Sequence, residues 1–134
     1  MSFIFADTSA WVALLDHKDR NYQAANNFFC FQSLNQPFLT TNFIVSETIT
    51  AVRFKLRHTP AVEIAEELYA EKFTKLFRVT PEVEAEALML FKKYADKTFS
   101  FTDCISFVVM RNFGIAQAFT FDKHFRQMGF QAVP

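Results

Sequence analysis

Short apolar runs alternate with helix-length segments along this chain, and that alternation restricts the fold more than any single motif. The runs Ser2–Ala6 (SFIFA), Phe38–Thr41, Leu76–Val79 and Ala116–Phe121 (AQAFTF) read as buried strands, with Gln131–Val133 as a candidate fifth. Between them, Asp7-Thr8-Ser9 precede a helix through Ala10–Leu15, Tyr22–Leu34 forms a second, and about Phe43 to Arg57 a third. Thr59-Pro60 predicts a capped start for a helix over Ala61–Phe73, and Thr80-Pro81 predicts the same for one reaching about Ala95. Ser100–Asp103 opens the next helix, which Gly114 closes, and a short helix reaches Gly129. Strands that alternate with helices are parallel, and the helices cover both faces of the sheet. No repeat, linker or charge block interrupts the pattern, so a single domain over residues 1–134 is expected.

Composition sets the outer bounds. A chain of 134 residues buries roughly two thirds of its unfolded surface, and 51% hydrophobic content with 2 Gly and 4 Pro excludes a disordered or low-complexity polymer. The 19 Phe against 1 Trp and 3 Tyr mean that rings without a polar handle do most of the filling. Fourteen basic and fourteen acidic residues give net charge +0, so no overall basic field is present. Cys30 and Cys104 lack a Cys-x-x-Cys spacing and are expected to be small core hydrophobes in a reducing cytosol. The amino terminus has no positive flank, Asp7 interrupts its apolar run, and no segment approaches the roughly 18 apolar residues of a membrane span. A soluble cytoplasmic protein without membrane attachment is expected.

In open parallel sheets ligands bind beyond the carboxyl ends of strands, and two strands here run into aspartate: SFIFA into Asp7 and AFTF into Asp122. Asp103 falls in the first turn of one helix and Glu47 inside another. Two readings stand for the aspartates, because each also precedes or opens a helix where it serves as a cap worth about 1 kcal/mol. Glu47 lies beside Ala51 and Phe54 on a largely apolar flank, which predicts a carboxylate that is paired with Lys or Arg, protonated or metal-bound. Four carboxylates gathered together need a cation, and oxygen donors without His or Cys suit Mg²⁺ or Mn²⁺. A cation held in that way activates water for hydrolysis of a phosphodiester.

The stretches FADTSAWVALLD, TTNFIVSETIT, FSFTDCISFVVMRNFGI and AFTFDKHFRQMGF resemble, in order, the motifs of a PIN domain, particularly the VapC type of ribonuclease toxin. The resemblance runs from Ser2 to Phe130 and implies a three-layer α/β/α sandwich with a central parallel sheet of four to five strands. It carries the family's catalytic and metal-binding acids onto Asp7, Glu47, Asp103 and Asp122, and a supporting Ser/Thr onto Thr120. It implies a Mg²⁺- or Mn²⁺-dependent endoribonuclease leaving 5′-phosphate and 3′-hydroxyl ends. It also implies an RNA substrate, a homodimer and a cognate antitoxin, whose tail is expected in an apolar groove lined by Phe28, Phe29, Phe31 and Phe54.

Setting aside the four acids leaves a modest excess of bases, compatible with RNA. Arg53, Arg57, Lys92, Lys93, Lys97, Arg111, Lys123 and Arg126 are candidate phosphate contacts, none of them assigned. His124, a single histidine without an evident partner, is expected to be a surface or packing residue. In the helix after Thr59, Val62, Ala65, Leu68, Tyr69 and Phe73 form an apolar side that packs inward or against another chain. The rival reading is a non-hydrolytic PIN-type module that binds RNA or protein. Another α/β phosphate enzyme is the weaker third reading, because Asp7-Thr8-Ser9 lacks the second aspartate of a haloacid-dehalogenase-like DxDxT and the sequence has no Gly-rich phosphate loop.

Overall fold

The computed structural model describes residues 2–32 and 35–134. Five strands, β1 (Ile4–Ala6), β2 (Phe38–Thr41), β3 (Thr74–Phe77), β4 (Gln117–Phe119) and β5 (Gln131–Val133), form one sheet in the order β3-β2-β1-β4-β5. Every pairing is parallel, with Phe5 of β1 opposite Leu39 of β2 on one side and Ala118 of β4 on the other. The helices are α1 (Thr8–Leu15), α2 (Tyr22–Gln32), α3 (Asn42–Lys55), α4 (His58–Tyr69), α5 (Pro81–Lys93), α6 (Phe101–Phe113) and α7 (His124–Gln127). The expected α/β/α sandwich with a five-stranded parallel sheet is what the chain forms.

Both faces of the sheet are covered by aromatic packing. On one face Phe38 of β2 stacks on Phe29 of α2 with centroids 5.6 Å apart, meets Trp11 of α1 edge-on at 6.3 Å and touches Phe119 of β4 at 5.6 Å. On the other, Phe5 of β1 meets Phe125 of α7 at 6.2 Å, and Phe125 meets Phe107 of α6 edge-on at 5.2 Å. Strand side chains alternate between faces, so Ile4 and Phe5 serve different layers. Helix α6 is buried continuously from Asp103 to Met110. A helix apolar on all sides has to lie inside the molecule, and Asp103 is therefore carried into the interior by its neighbours.

The connections place a topological switch beside β1. The chain leaves β1 through α1 and α2 to β2 and β3 on one side, then crosses by α5 and α6 to β4 on the other. Successive crossovers in opposite directions leave a crevice at the carboxyl ends of β1 and β4. Asp7 and Asp122 both stand there.

Several local expectations are corrected. Helix α4 begins at His58 with Arg57 at the cap and no side-chain capping bond, so Thr59 is helical and Pro60 sits within the first turn. An N–H missing from the first turn has no intrahelical acceptor in any case. Strand β3 starts at Thr74 rather than Leu76, because full parallel register with Phe38–Thr41 sets its bounds. Strand β4 ends at Phe119, since the Thr120 side chain is used to hold the turn that follows. The expected end of the second helix at Leu34 lies outside the described residues. Cys104 is buried as expected, and burial first, then the nearby Asp103 charge, pushes its thiol up to about 11. Cys30 is exposed, because the core face of α2 is taken by Ala25, Phe28 and Phe29.

Candidate active site

Asp7 follows β1 and caps α1: its Oδ2 accepts from the Ser9 amide at 3.4 Å and the Ser9 hydroxyl at 2.9 Å. The same oxygen accepts from the Thr120 hydroxyl at 2.9 Å, which in turn accepts from the Asp122 amide at 3.0 Å. Ser9 Oγ accepts from the Phe121 amide at 2.9 Å. Two hydroxyls therefore tie the end of β1 to the turn after β4, and Thr120 bonds both the Asp7 carboxylate and the Asp122 amide.

Asp103 forms a capping box with Ser100 at the start of α6: the Ser100 hydroxyl accepts from the Asp103 amide, and Asp103 Oδ2 accepts from the Ser100 amide, both at 3.0 Å. Asp103 Oδ2 also lies 2.9 Å from His124 Nδ1. Asp122 Oδ1 accepts from the His124 amide at 3.0 Å and lies 3.2 Å from the same ring nitrogen. Asp103, Asp122 and His124 present ligand atoms within 4.8 Å of one another.

The capping and ligand readings of Asp7 and Asp103 are thus compatible, because each carboxylate divides its two oxygens. Oδ2 of Asp7, Oδ2 of Asp103 and Oδ1 of Asp122 take the protein donors. Asp7 Oδ1, Asp103 Oδ1 and Asp122 Oδ2 accept no hydrogen bond from the described residues. An ionised carboxylate has lone pairs on both oxygens, so these three keep their acceptor capacity for something else.

The electrostatics agree. Burial, with the side chain's residue only 4% exposed, pushes the Asp7 carboxyl from 3.8 up to about 6; its bonds from Ser9 and Thr120 pull it back, and the charges of Asp103 and Asp122 raise it further. Asp103 is raised as well, first by burial and then by Asp122, against the Ser100 amide and His124. Carboxyls raised by burial and by each other are relieved by a cation. Oxygen donors of this kind fit a hard divalent ion such as Mg²⁺ or Mn²⁺.

Asp7, Asp103, Asp122 and His124 line one cleft of about 470 Å³, whose wall also includes Ser9, Asp19, Asn21, Glu47, Lys55 and Thr98. Glu47 is in the expected place for a different reason from the one expected. The buried face of α3 is Ile44, Val45, Thr48 and Val52, so Glu47 is exposed and Phe54 is 85% exposed; no burial forces Glu47 to find a partner. No ion pair to Glu47 occurs among the described residues. A second hollow of about 580 Å³, lined by Asn42, Phe43, Ser46, Thr50 and Thr102, shares Glu47 and Ala51 with the cleft and extends it between α3 and the start of α6.

Two residues of the cleft escaped sequence reasoning. His124 packs edge-on against Phe99 as a packing residue would, but it also joins two acids, and its partners lie 21 residues away and in its own turn. Lys55 is the lysine or arginine that lines the cleft, and it was absent from the candidate phosphate contacts. The four-phenylalanine groove does not form: Phe28 and Phe29 pack into the core, while Phe31 and Phe54 are exposed. Phe54 instead lines an apolar groove of about 530 Å³ between α3 and α4 with Ile49, Val62, Ala65 and Tyr69. The apolar side read for α4 is accordingly split, with Ala61, Ile64 and Leu68 inward.

Residues 4–131 match the model of the PIN-domain family, in agreement with the parallel α/β/α sandwich; the chain belongs to the PIN-domain family. Among curated proteins it is 32% identical over 130 residues to the 23S rRNA-specific endonuclease VapC20 of Mycobacterium tuberculosis, covering 97% of both chains. The crystal structure of VapC20, a sarcin–ricin loop cleaving toxin, superposes with a TM-score of 0.89 at 30% identity over 95% of each chain. VapBC2 from Rickettsia felis, bound to a fragment of promoter DNA, shares the fold at a TM-score of 0.73 and 7% identity over 98% of this chain and 97% of that one. FitAcB from Neisseria gonorrhoeae does so at 0.73 and 14%, with the same coverage.

Proposed function

We propose that this protein is a Mg²⁺- or Mn²⁺-dependent endoribonuclease of the VapC type, with residues 1–134 acting as one PIN domain. The observation that carries the reading is the division of labour in the carboxylates: Asp7, Asp103 and Asp122 each spend one oxygen on the scaffold, and no donor among the described residues takes the other. A protein that used these acids only as caps would have no use for three of them around one cleft.

Asp7, Asp103 and Asp122, with Glu47 on the wall, are the residues that would hold a divalent cation, which when bound lowers the pKa of water and screens phosphate charge. The chain's own contribution is orientation. Ser9 and Thr120 fix Asp7, the capping box fixes Asp103, and the turn after β4 fixes Asp122. Lys55 offers a positive charge to a phosphate at the cleft's edge, and the adjoining hollow beside Phe43 gives a strand room to continue.

By its likeness to VapC20, the substrate is ribosomal RNA at the sarcin–ricin loop of 23S rRNA and the cellular role is that of a toxin; a cognate antitoxin and a cytoplasmic location belong to the same reading. The apolar groove between α3 and α4 supports a protein partner, and homodimerisation belongs to the same reading. No helix among the described residues is long and apolar enough to cross a membrane. The test is cleavage of total RNA and of intact ribosomes by purified protein with Mg²⁺ or Mn²⁺, against EDTA and Asp7→Asn, with the new 5′ ends mapped. Metal-dependent cuts in 23S rRNA that vanish in Asp7→Asn are expected. No cuts by folded, metal-loaded protein would favour the non-hydrolytic binding module.

A further inference from the structure

His124 stands where two carboxylates approach each other, and every group around its ring has a defined part. Nδ1 lies 2.9 Å from Asp103 Oδ2 and 3.2 Å from Asp122 Oδ1. Carboxylate oxygens only accept, so Nδ1 carries the hydrogen that both share. On the far side Nε2 lies 3.0 Å from the Thr98 hydroxyl, and the ring meets Phe99 edge-on with centroids 5.4 Å apart. Thr98 and Phe99 precede α6 while His124 begins α7, so the ring is clamped by one segment and bridges to another.

We propose that His124 is a positioning residue of the acidic cleft: its Nδ1 hydrogen holds Asp103 Oδ2 and Asp122 Oδ1 on the scaffold side, which turns Asp103 Oδ1 and Asp122 Oδ2 toward a cation. The proposal rests on the metal-holding reading of the cleft. Two carboxylates this close repel, and apart from the ring the Asp122 carboxylate takes among the described residues just the local bond from the His124 amide. Without the shared donor each carboxylate keeps its own local bond, Asp103 to the Ser100 amide and Asp122 to the His124 amide, but among the described residues no other group links the two. Outer partners of this kind change metal affinity by about 10–100-fold when removed.

Binding of Mn²⁺ alone, followed in metal-stripped protein through loss of the free-ion electron paramagnetic resonance signal, tests this without reference to RNA cleavage. His124→Ala and His124→Gln are expected to weaken Mn²⁺ about 10–100-fold. His124→Asn, whose amide nitrogen reaches the Nδ1 position, should restore affinity to within about threefold of the parent, a rescue that a merely structural role would not show. Thr98→Val, which leaves the carboxylate bonds in place and frees the ring, should fall between them, and it decides the matter if His124→Ala fails to fold. A folded His124→Ala with unchanged affinity, His124→Asn as weak as His124→Ala, or nitrogen coupling to bound Mn²⁺ from a directly ligating ring would each overturn the positioning role. Parent protein that binds no Mn²⁺ would overturn the metal reading of the cleft itself, and this inference with it.

Discussion

Asp7→Asn should stabilise the metal-free protein while removing its activity. In the folded chain burial lifts the Asp7 carboxyl from 3.8 to about 6, so at pH 7.5 an ionised Asp7 costs the fold about 3 kcal/mol relative to the unfolded chain. The sign follows from proton binding. The folded state holds this proton more tightly, so the cost is full above pH 6, shrinks as pH falls toward 4, and is absent below it. Asparagine keeps an oxygen for the hydroxyls of Ser9 and Thr120, but it places an amide NH2 where Asp7 Oδ1 accepts nothing, and a buried donor without a partner costs roughly 1–2 kcal/mol. The net gain in EDTA at pH 7.5 is about 1–2 kcal/mol, or ~3–8 °C in Tm. The assay is thermal and denaturant unfolding of both proteins at pH 7.5 and pH 5, with EDTA and with Mn²⁺. At pH 5 the two curves should nearly coincide in EDTA, and Mn²⁺ should raise the parent's Tm far more than the variant's. A variant less stable than the parent in EDTA at pH 7.5, or a gap of equal size at both pH values, would refute the argument that burial of an ionised Asp7 destabilises the apo fold.

Glu47→Gln should lower metal-dependent cleavage at least tenfold with Tm in EDTA within about 1 °C, since Glu47 is exposed and makes no ion pair among the described residues; activity assay and unfolding on one preparation check both halves. Ser100→Ala removes the cap of α6 and should cost about 1 kcal/mol in urea unfolding, with weaker Mn²⁺ binding because Asp103 loses half of its capping box. Phe38→Ala should cost about 3–5 kcal/mol, because Phe38 is fully buried against Trp11, Phe28, Phe29 and Phe119. Iodoacetamide followed by mass spectrometry should label native protein at the exposed Cys30 and spare Cys104, whose thiol burial holds near 11.

Sequence alone determined the layered parallel fold, because short apolar runs alternating with helices allow few other solutions. It also placed Asp7 directly after β1, Asp122 close beyond β4 and Asp103 in a capping box, since those signals are local: an apolar run that leads into an acid, and Ser100 three residues before Asp103. Glu47 lines the cleft but is exposed rather than set on a buried apolar flank, because a helical wheel shows angles around α3 but not which arc the sheet and α1 cover. Phe28 and Phe29 differ from Phe31 and Phe54 in the same way, identical side chains sorted into core or surface by packing that no local pattern encodes. His124 depended wholly on tertiary structure. Its role arises only when α6 and the turn after β4 bring Asp103 and Asp122 to opposite sides of one ring nitrogen, so the site's residues were legible one by one but the bonds that orient them were not.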